Sequence, residues 1–492
     1  MTTTQAREEQ LPAAAKTVRL TGRLGPVAIV LMVMAAAAPL SVLGGMVPLG
    51  LLIGNGIGLP TLFLLAGLVL IIFAFGFTHM TRFVPRSGAF FHYIAAGLSR
   101  PLGLAAAWVS IFAYFGVQIG LLAQIGSVLE ETVGRLGGPD IDWWVYSFVI
   151  LAAIGYLGYR NIDLSTKVLG LLLVAEIGIV VVLSIVVVGT GGAEGLTLNT
   201  FGWDNVMSGS PAIGLMFCMA SFLGFESTAI YRDEARDPER TIPRATFAAV
   251  IIVGVFYGFA SWMMIMAWGE DSVVAAAAAN PVTLIVETAS QYLGPAGVVI
   301  INVLLLTSVF AAILAFHNVI ARYFHALGHG GLLPTGLGRA HPRHGSPYKA
   351  SLTTTIIAVS VIVVCMLTGV SAMQVLSWST GDAALGVMAL MALTSLSVVV
   401  FFRRTRLSTR VWQAMIAPAV AFLALGAIVV LLVLNYPMLV GETDANGAPA
   451  FGPLSVTLLA LLVPFIVTGL VQAAIVKRRN PEAYARIVDF DA

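Results

Sequence analysis

The chain has 492 residues, of which 59% are hydrophobic and 10% charged, with mean hydropathy +0.95. A soluble domain carries roughly 25% charged residues, so this composition excludes a water-facing surface of such size. The formal net charge of +2 gives no basis for a nucleic-acid partner, and the two cysteines, Cys218 and Cys365, sit in apolar runs that imply no disulfide framework.

An integral membrane protein remains. Residues 1–24 are polar and basic, and the apolar run after them is too long for the core of a cleavable leader. A span needs about 20 apolar residues. The sequence predicts twelve: 26–50, 59–80, 101–128, 143–160, 165–189, 208–231, 245–268, 295–323, 350–369, 374–401, 411–435 and 453–476. With both ends inside the cell, all of the 26 Lys and Arg residues except Arg135 fall on the inner side. Adding or removing one span would invert the later loops and destroy that bias. The expected outer loops are acidic, with Glu130, Glu131, Asp140, Asp142, Glu194, Asp204, Glu270, Asp271, Glu442 and Asp444.

Span one, residues 26–50, is interrupted. Ala35 to Ala38 are small, Pro39 has no N–H to donate, and Gly44-Gly45 follow. Either the helix is kinked and packed through small residues, or it is unwound and a second half-helix starts near Ser41. In the second case the exposed N–H groups would face an anion. Between spans two and three, residues 82–94 are too short to cross and fit an interfacial or re-entrant piece, as Pro281 to Tyr292 does on the outside. Gln118 stands alone among apolar residues in span three; substrate contact and an interhelical hydrogen bond fit it equally.

Span six breaks its own pattern at Ser221-Phe222-Leu223-Gly224, and Glu226 follows at once. An acid and a glycine in a membrane-length segment suit a helix whose free backbone groups face a cavity. The run Ala28–Met32 echoes Ala212–Met216, and the two interruptions fall at corresponding places in two halves of five spans. That pattern points to the site of an inverted-repeat transporter. The ionisable residues at membrane depth are Glu176 in span five, Glu226 in span six, His317 in span eight and Asp382 in span ten. Each is a candidate to carry a proton between a wet and a dry state, or to fix helix packing. The His-rich loop from His325 to Lys349 has no spacing of a metal site and is expected to be cytoplasmic surface. No phosphate-binding loop, zinc motif or paired-carboxylate constellation occurs, so neither an enzyme nor a cofactor or metal is expected.

The chain resembles permeases of the amino acid–polyamine–organocation (APC) superfamily. The resemblance rests on Phe222-Leu223-Gly224-Phe225-Glu226 with Asp233-Glu234-Ala235, Asp237-Pro238 and Thr241-Ile242-Pro243-Arg244. It extends to Ala321–Ala326 with Gly331–Pro334, and to Ser87-Gly88-Ala89-Phe90-Phe91-His92-Tyr93. It covers roughly residues 20 to 475. It implies an all-α protein of twelve transmembrane helices, a LeuT-like five-plus-five inverted repeat with helices one and six broken. Residues 25–403 would be the transport core, 404–477 accessory spans, and 1–24 and 478–492 cytoplasmic tails. The substrate, an amino acid or related amine, would lie between spans one, three, six, eight and ten. Its carboxylate would meet span one and its amino group span six. The implied contacts are Ala35, Ala37, Ala38, Pro39, Ser41, Gln118, Ala220, Ser221, Phe222 and Gly224.

The chain departs from the family pattern in three places. Ala37-Ala38-Pro39-Leu40-Ser41 replaces a Gly-rich run in span one, and Pro39 removes one amide. Ala220 stands where an aromatic gate is common, which widens the cavity or moves gating to Phe222. Glu176 stands where many relatives have Lys, which suits a proton carrier. The expectation is a proton-coupled secondary transporter of the inner or plasma membrane, monomeric or homodimeric, with exchange or polyamine transport as alternatives and a channel or receptor as the rival class.

Overall fold

The computed structural model describes residues 25–84, 89–160, 166–226, 228 and 235–487, almost all of them helical. Nine helices among these are long and apolar enough to cross a bilayer. In chain order the main elements are α1 (Pro26–Ala37), α2 (Pro39–Ile53), α3 (Leu59–Met80), α4 (Ala89–Gly97), α5 (Arg100–Arg135), α6 (Trp143–Arg160) and α7 (Thr166–Thr190). There follow α8 (Pro211–Ala220), α9 (Pro238–Trp268), α10 (Val273–Ala279), α11 (Leu284–His329), α12 (Tyr348–Thr368) and α13 (Ala372–Thr405). The last two are α14 (Trp412–Leu434) and α15 (Pro453–Arg479).

Three expected spans are not among the nine, each for a visible reason. Spans one and six are interrupted, leaving the shorter apolar helices α2 and α8 beside their breaks. Helix α6 has 18 residues, and Trp143, Trp144, Tyr156 and Tyr159 at its ends make it less apolar. The expected outer piece before span eight is the first part of α11, set off by Gly294 at φ 66°, ψ −164° and by Pro295. The expected inner piece includes the start of α4, whose Phe90, Tyr93 and Ile94 are buried.

Small residues let helices close on the site. A Cβ on Gly116 of α5 would stand 2.7 Å from Ser379 O of α13. One on Gly67 of α3 would stand 3.7 Å from the Gly254 Cα of α9. The accessory helix α15 lies as close: a Cβ on Gly469 would meet the Ala105 Cα at 2.4 Å. Gln472 of α15 accepts a bond from Trp108 Nε1 at 2.7 Å, which fixes it to α5.

Candidate functional site

The first break is a single residue. Ala38 has φ 46° and ψ 75°, a left-handed conformation that costs an alanine about 1–2 kcal/mol. Pro39 then starts α2 with its φ already suited to a helix. The groups freed here are taken up from three sides. Tyr257 Oη of α9 donates to Ala37 O at 3.1 Å. Leu40 N–H, in the first turn of α2, donates to the carboxylate of Glu176 from α7. That carboxylate also accepts from Ser308 Oγ of α11 at 2.7 Å. Gln124 of α5 holds Ser41 twice, with Nε2 on the Ser41 carbonyl at 2.7 Å and Oε1 on its hydroxyl at 2.6 Å.

At the second break α8 ends at Ala220 and a tight turn follows. Gly224 has φ 105°, a backbone that L side chains rarely adopt. Glu226 folds back onto this turn. Its Oε2 accepts from Gly224 N at 3.0 Å, and its Oε1 accepts from Tyr114 Oη of α5 at 2.9 Å. Residues 227 and 229–234, with Asp233 and Glu234 of the charged run, lie outside the described residues. So do Ser87 and Gly88 of the motif before α4.

Both breaks face one cavity. It is lined by Ala37, Ala38, Ser41, Val42, Met46, Val117, Leu121, Ala220, Ser221, Leu223, Ala312, Phe316 and Thr380. With its mouth it holds about 430 Å³ of empty space. The N-terminal end of α2 and the C-terminal end of α8 meet here, so their dipoles present opposite partial charges.

Of the expected contacts, Ala37, Ala38, Ser41, Ala220 and Ser221 line this cavity. Other expected contacts do not reach the wall. Pro39 is buried outside it, and Gly224 shapes the turn from behind. The Phe222 ring points away, its Cζ against Gly67 and Gly254 where α3 crosses α9. The wall's aromatic is Phe316 instead, packed on Tyr114 with ring centroids 5.9 Å apart. Ala35 lies in the last turn of α1, and its side chain is outside the described residues. Gln118 turns toward α11, where its Nε2 is 3.2 Å from His317 Nδ1; His317 Nε2 is 2.9 Å from Ser351 Oγ of α12. These two polar residues tie helices α5, α11 and α12 together. Asp382 accepts a hydrogen bond from Tyr436, beyond the end of α14.

Sequence reasoning missed Thr380 and Phe316, although each neighbours a residue that it singled out, Asp382 and His317. The His-rich loop docks on α6: Tyr159 Oη is 3.2 Å from His341 Nε2, and Ser346 Oγ donates to Tyr159 O at 2.6 Å. Among the described residues no group of three His, Cys, Asp or Glu side chains gathers to hold a metal.

A helical membrane bundle with two broken helices around one cavity is a transporter fold. It matches the crystal structure of a manganese transporter mutant from Eremococcus coleocola with a TM-score of 0.58, over 94% of this chain and 97% of that one, at 12% identity. The chain belongs to the amino acid permease family, whose model matches residues 29–483. It is 25% identical over 296 residues to the low-affinity putrescine importer PlaP of Escherichia coli K12, which is 58% of this chain and 63% of that protein. It is 24% identical over 314 residues to the branched-chain amino acid permease BcaP of Bacillus subtilis, 60% of this chain and 65% of that one. Each match thus spans less than two thirds of the relative.

Proposed function

We propose that this protein is a secondary active transporter, not an enzyme, which moves an amino acid or related amine across the cell membrane. The observation that carries this reading is the cavity at which both broken helices end. Broken helices leave polar backbone at mid-membrane, and that is useful only where a polar solute is to be held out of water. The names of the relatives, a putrescine importer and a branched-chain amino acid permease, agree with it.

In this reading the chain crosses the membrane twelve times with both ends in the cytoplasm, α1 with α2 and α8 supplying broken spans one and six. Residues 25–403 form two inverted halves of five spans, and residues 404–477 are accessory. The bias of Lys and Arg toward the inner loops supports this orientation. Transport is coupled to protons through Glu176. Its carboxylate sits on the first turn of α2, so its charge would change as the break opens and closes. Glu226 holds the other break and is the next candidate, ahead of Asp382 and His317, which are bonded outside the cavity.

Purified protein in liposomes tests the reading. Labelled amino acids and amines are offered with and without a pH gradient. Uptake of at least one, enhanced by an acid exterior, is expected. Uptake without any effect of the gradient would leave a transporter but reject the coupling.

A further inference from the structure

We infer that the cavity takes an alkylamine without a carboxylate, in preference to the amino acid of the same carbon chain. This rests on the transport reading above and narrows its substrate. It comes from asking where each hydrogen-bond donor at the two breaks is already committed.

A carboxylate needs several N–H or O–H donors, or a cation. The first turn of α2 is where such an anion would sit. Pro39 has no N–H. Leu40 N–H is given to Glu176. Val42 N–H returns to Ala38 O at 3.2 Å. The Ser41 hydroxyl proton is committed as well, and the geometry forces it. The Ser41 carbonyl can only accept, so Gln124 must turn its NH₂ to it, at 2.7 Å. That leaves Gln124 Oε1 facing the hydroxyl at 2.6 Å, and the hydroxyl must donate. Among the described residues Ser41 N–H is then the one backbone donor that this turn has left.

The second break is closed to anions in the same way. Ser221 Oγ donates to Phe217 O at 2.8 Å, again a carbonyl that can only accept. Gly224 N–H is given to Glu226. No Lys, Arg or His lines the cavity among the described residues. The lone pairs of Ser41 Oγ and Ser221 Oγ therefore remain for a ligand, together with the negative end of α8 and the Thr380 hydroxyl, which can donate or accept. An ammonium group offers three donors and suits such a wall. A carboxylate would lose its water, meet lone pairs and lie near Glu176. Val117, Leu121 and Phe316 supply apolar surface for the alkyl chain.

The test uses pairs that differ only by the carboxyl group: cadaverine with lysine, putrescine with ornithine, isoamylamine with leucine. Binding to the purified full chain and uptake into liposomes are both measured. The amine of each pair is expected to bind at least about tenfold more tightly. Equal or tighter binding of the amino acids overturns this inference and leaves the transport reading standing. Binding and uptake of neither member overturns both. Glu176→Ala frees Leu40 N–H and should narrow the ratio between amine and amino acid. Ser221→Ala removes one acceptor together with the bond to Phe217 O, and should weaken the amine several-fold with no gain for the amino acid. If Glu176→Ala does not fold, the Ser221→Ala result decides: unchanged amine affinity there overturns the assignment.

Discussion

Replacing Glu176 by Gln should separate coupling from binding. The carboxylate accepts from Leu40 N–H and from Ser308 Oγ. A glutamine can keep both contacts by exchanging roles. Its amide oxygen takes Leu40 N–H, and its NH₂ donates to Ser308 Oγ, which is able to accept. Bonds to an ionised acceptor contribute about 1.5–3 kcal/mol each and neutral ones about 0.5–1.5, so Glu176→Gln should cost about 1–3 kcal/mol. Glu176→Leu leaves both donors unsatisfied and should cost about 2–6 kcal/mol. The effect on transport runs the other way from the effect on folding. One proton moved with each substrate molecule supplies about 1.4 kcal/mol per pH unit, or about tenfold accumulation. The assay is liposomes with a gradient of one pH unit and the membrane potential held at zero. The parent should concentrate substrate about tenfold. Glu176→Gln should equilibrate substrate without concentrating it, yet still exchange labelled for unlabelled substrate across the membrane. A Gln variant that accumulates as well as the parent would refute the reasoning and leave Glu176 as a cap on α2.

Three further outcomes are expected. Gly224 has φ 105°, so Gly224→Leu should add strain of about 1–3 kcal/mol and reshape the turn. Insertion should persist and ligand binding disappear; full activity would mean the break is not required. Ala220 lines the cavity, and Ala220→Trp should weaken long amines more than short ones in a binding series, whereas an equal effect at every length speaks against this placement. Outside the membrane, Glu442 is held down from its usual 4.5 to about 2 by the Ser455 hydroxyl first, then by the backbone N–H groups of Ser455, Leu454 and Gly452. A carboxyl with a lowered value stabilises the fold above 4.5, and that support goes as the pH falls from there toward 2. Hydrogen exchange at Gly452, Leu454 and Ser455 should therefore be slow at about pH 6, after correction for intrinsic rates, and rise at about pH 3. Glu442→Gln should exchange fast at both, and a parent protected equally at both would show another cap.

The sequence by itself determined the class of this protein and the positions of its breaks. Too few charges for a water-facing surface left only a membrane protein. Pro39 among alanines, and Gly224 beside Glu226, marked where two helices had to stop, because Pro cannot donate and Gly alone takes the backbone of the second turn easily. Only the tertiary structure decided which way side chains turn around those breaks. Nearly every face of these helices is apolar, whether it meets lipid or protein, so the usual alternation that tells inside from outside is missing and packing sets the rotation of each helix. Hence Phe222 lies on Gly67 and Gly254 while Phe316 faces the cavity, and Gln118 turns to His317. The same holds for Glu176. Its place in span five was legible, but its partner was not, because a lone acid in an apolar run does not name the donor it will find. Folding brings it to the first turn of α2, where it takes the amide that an anionic ligand would have needed.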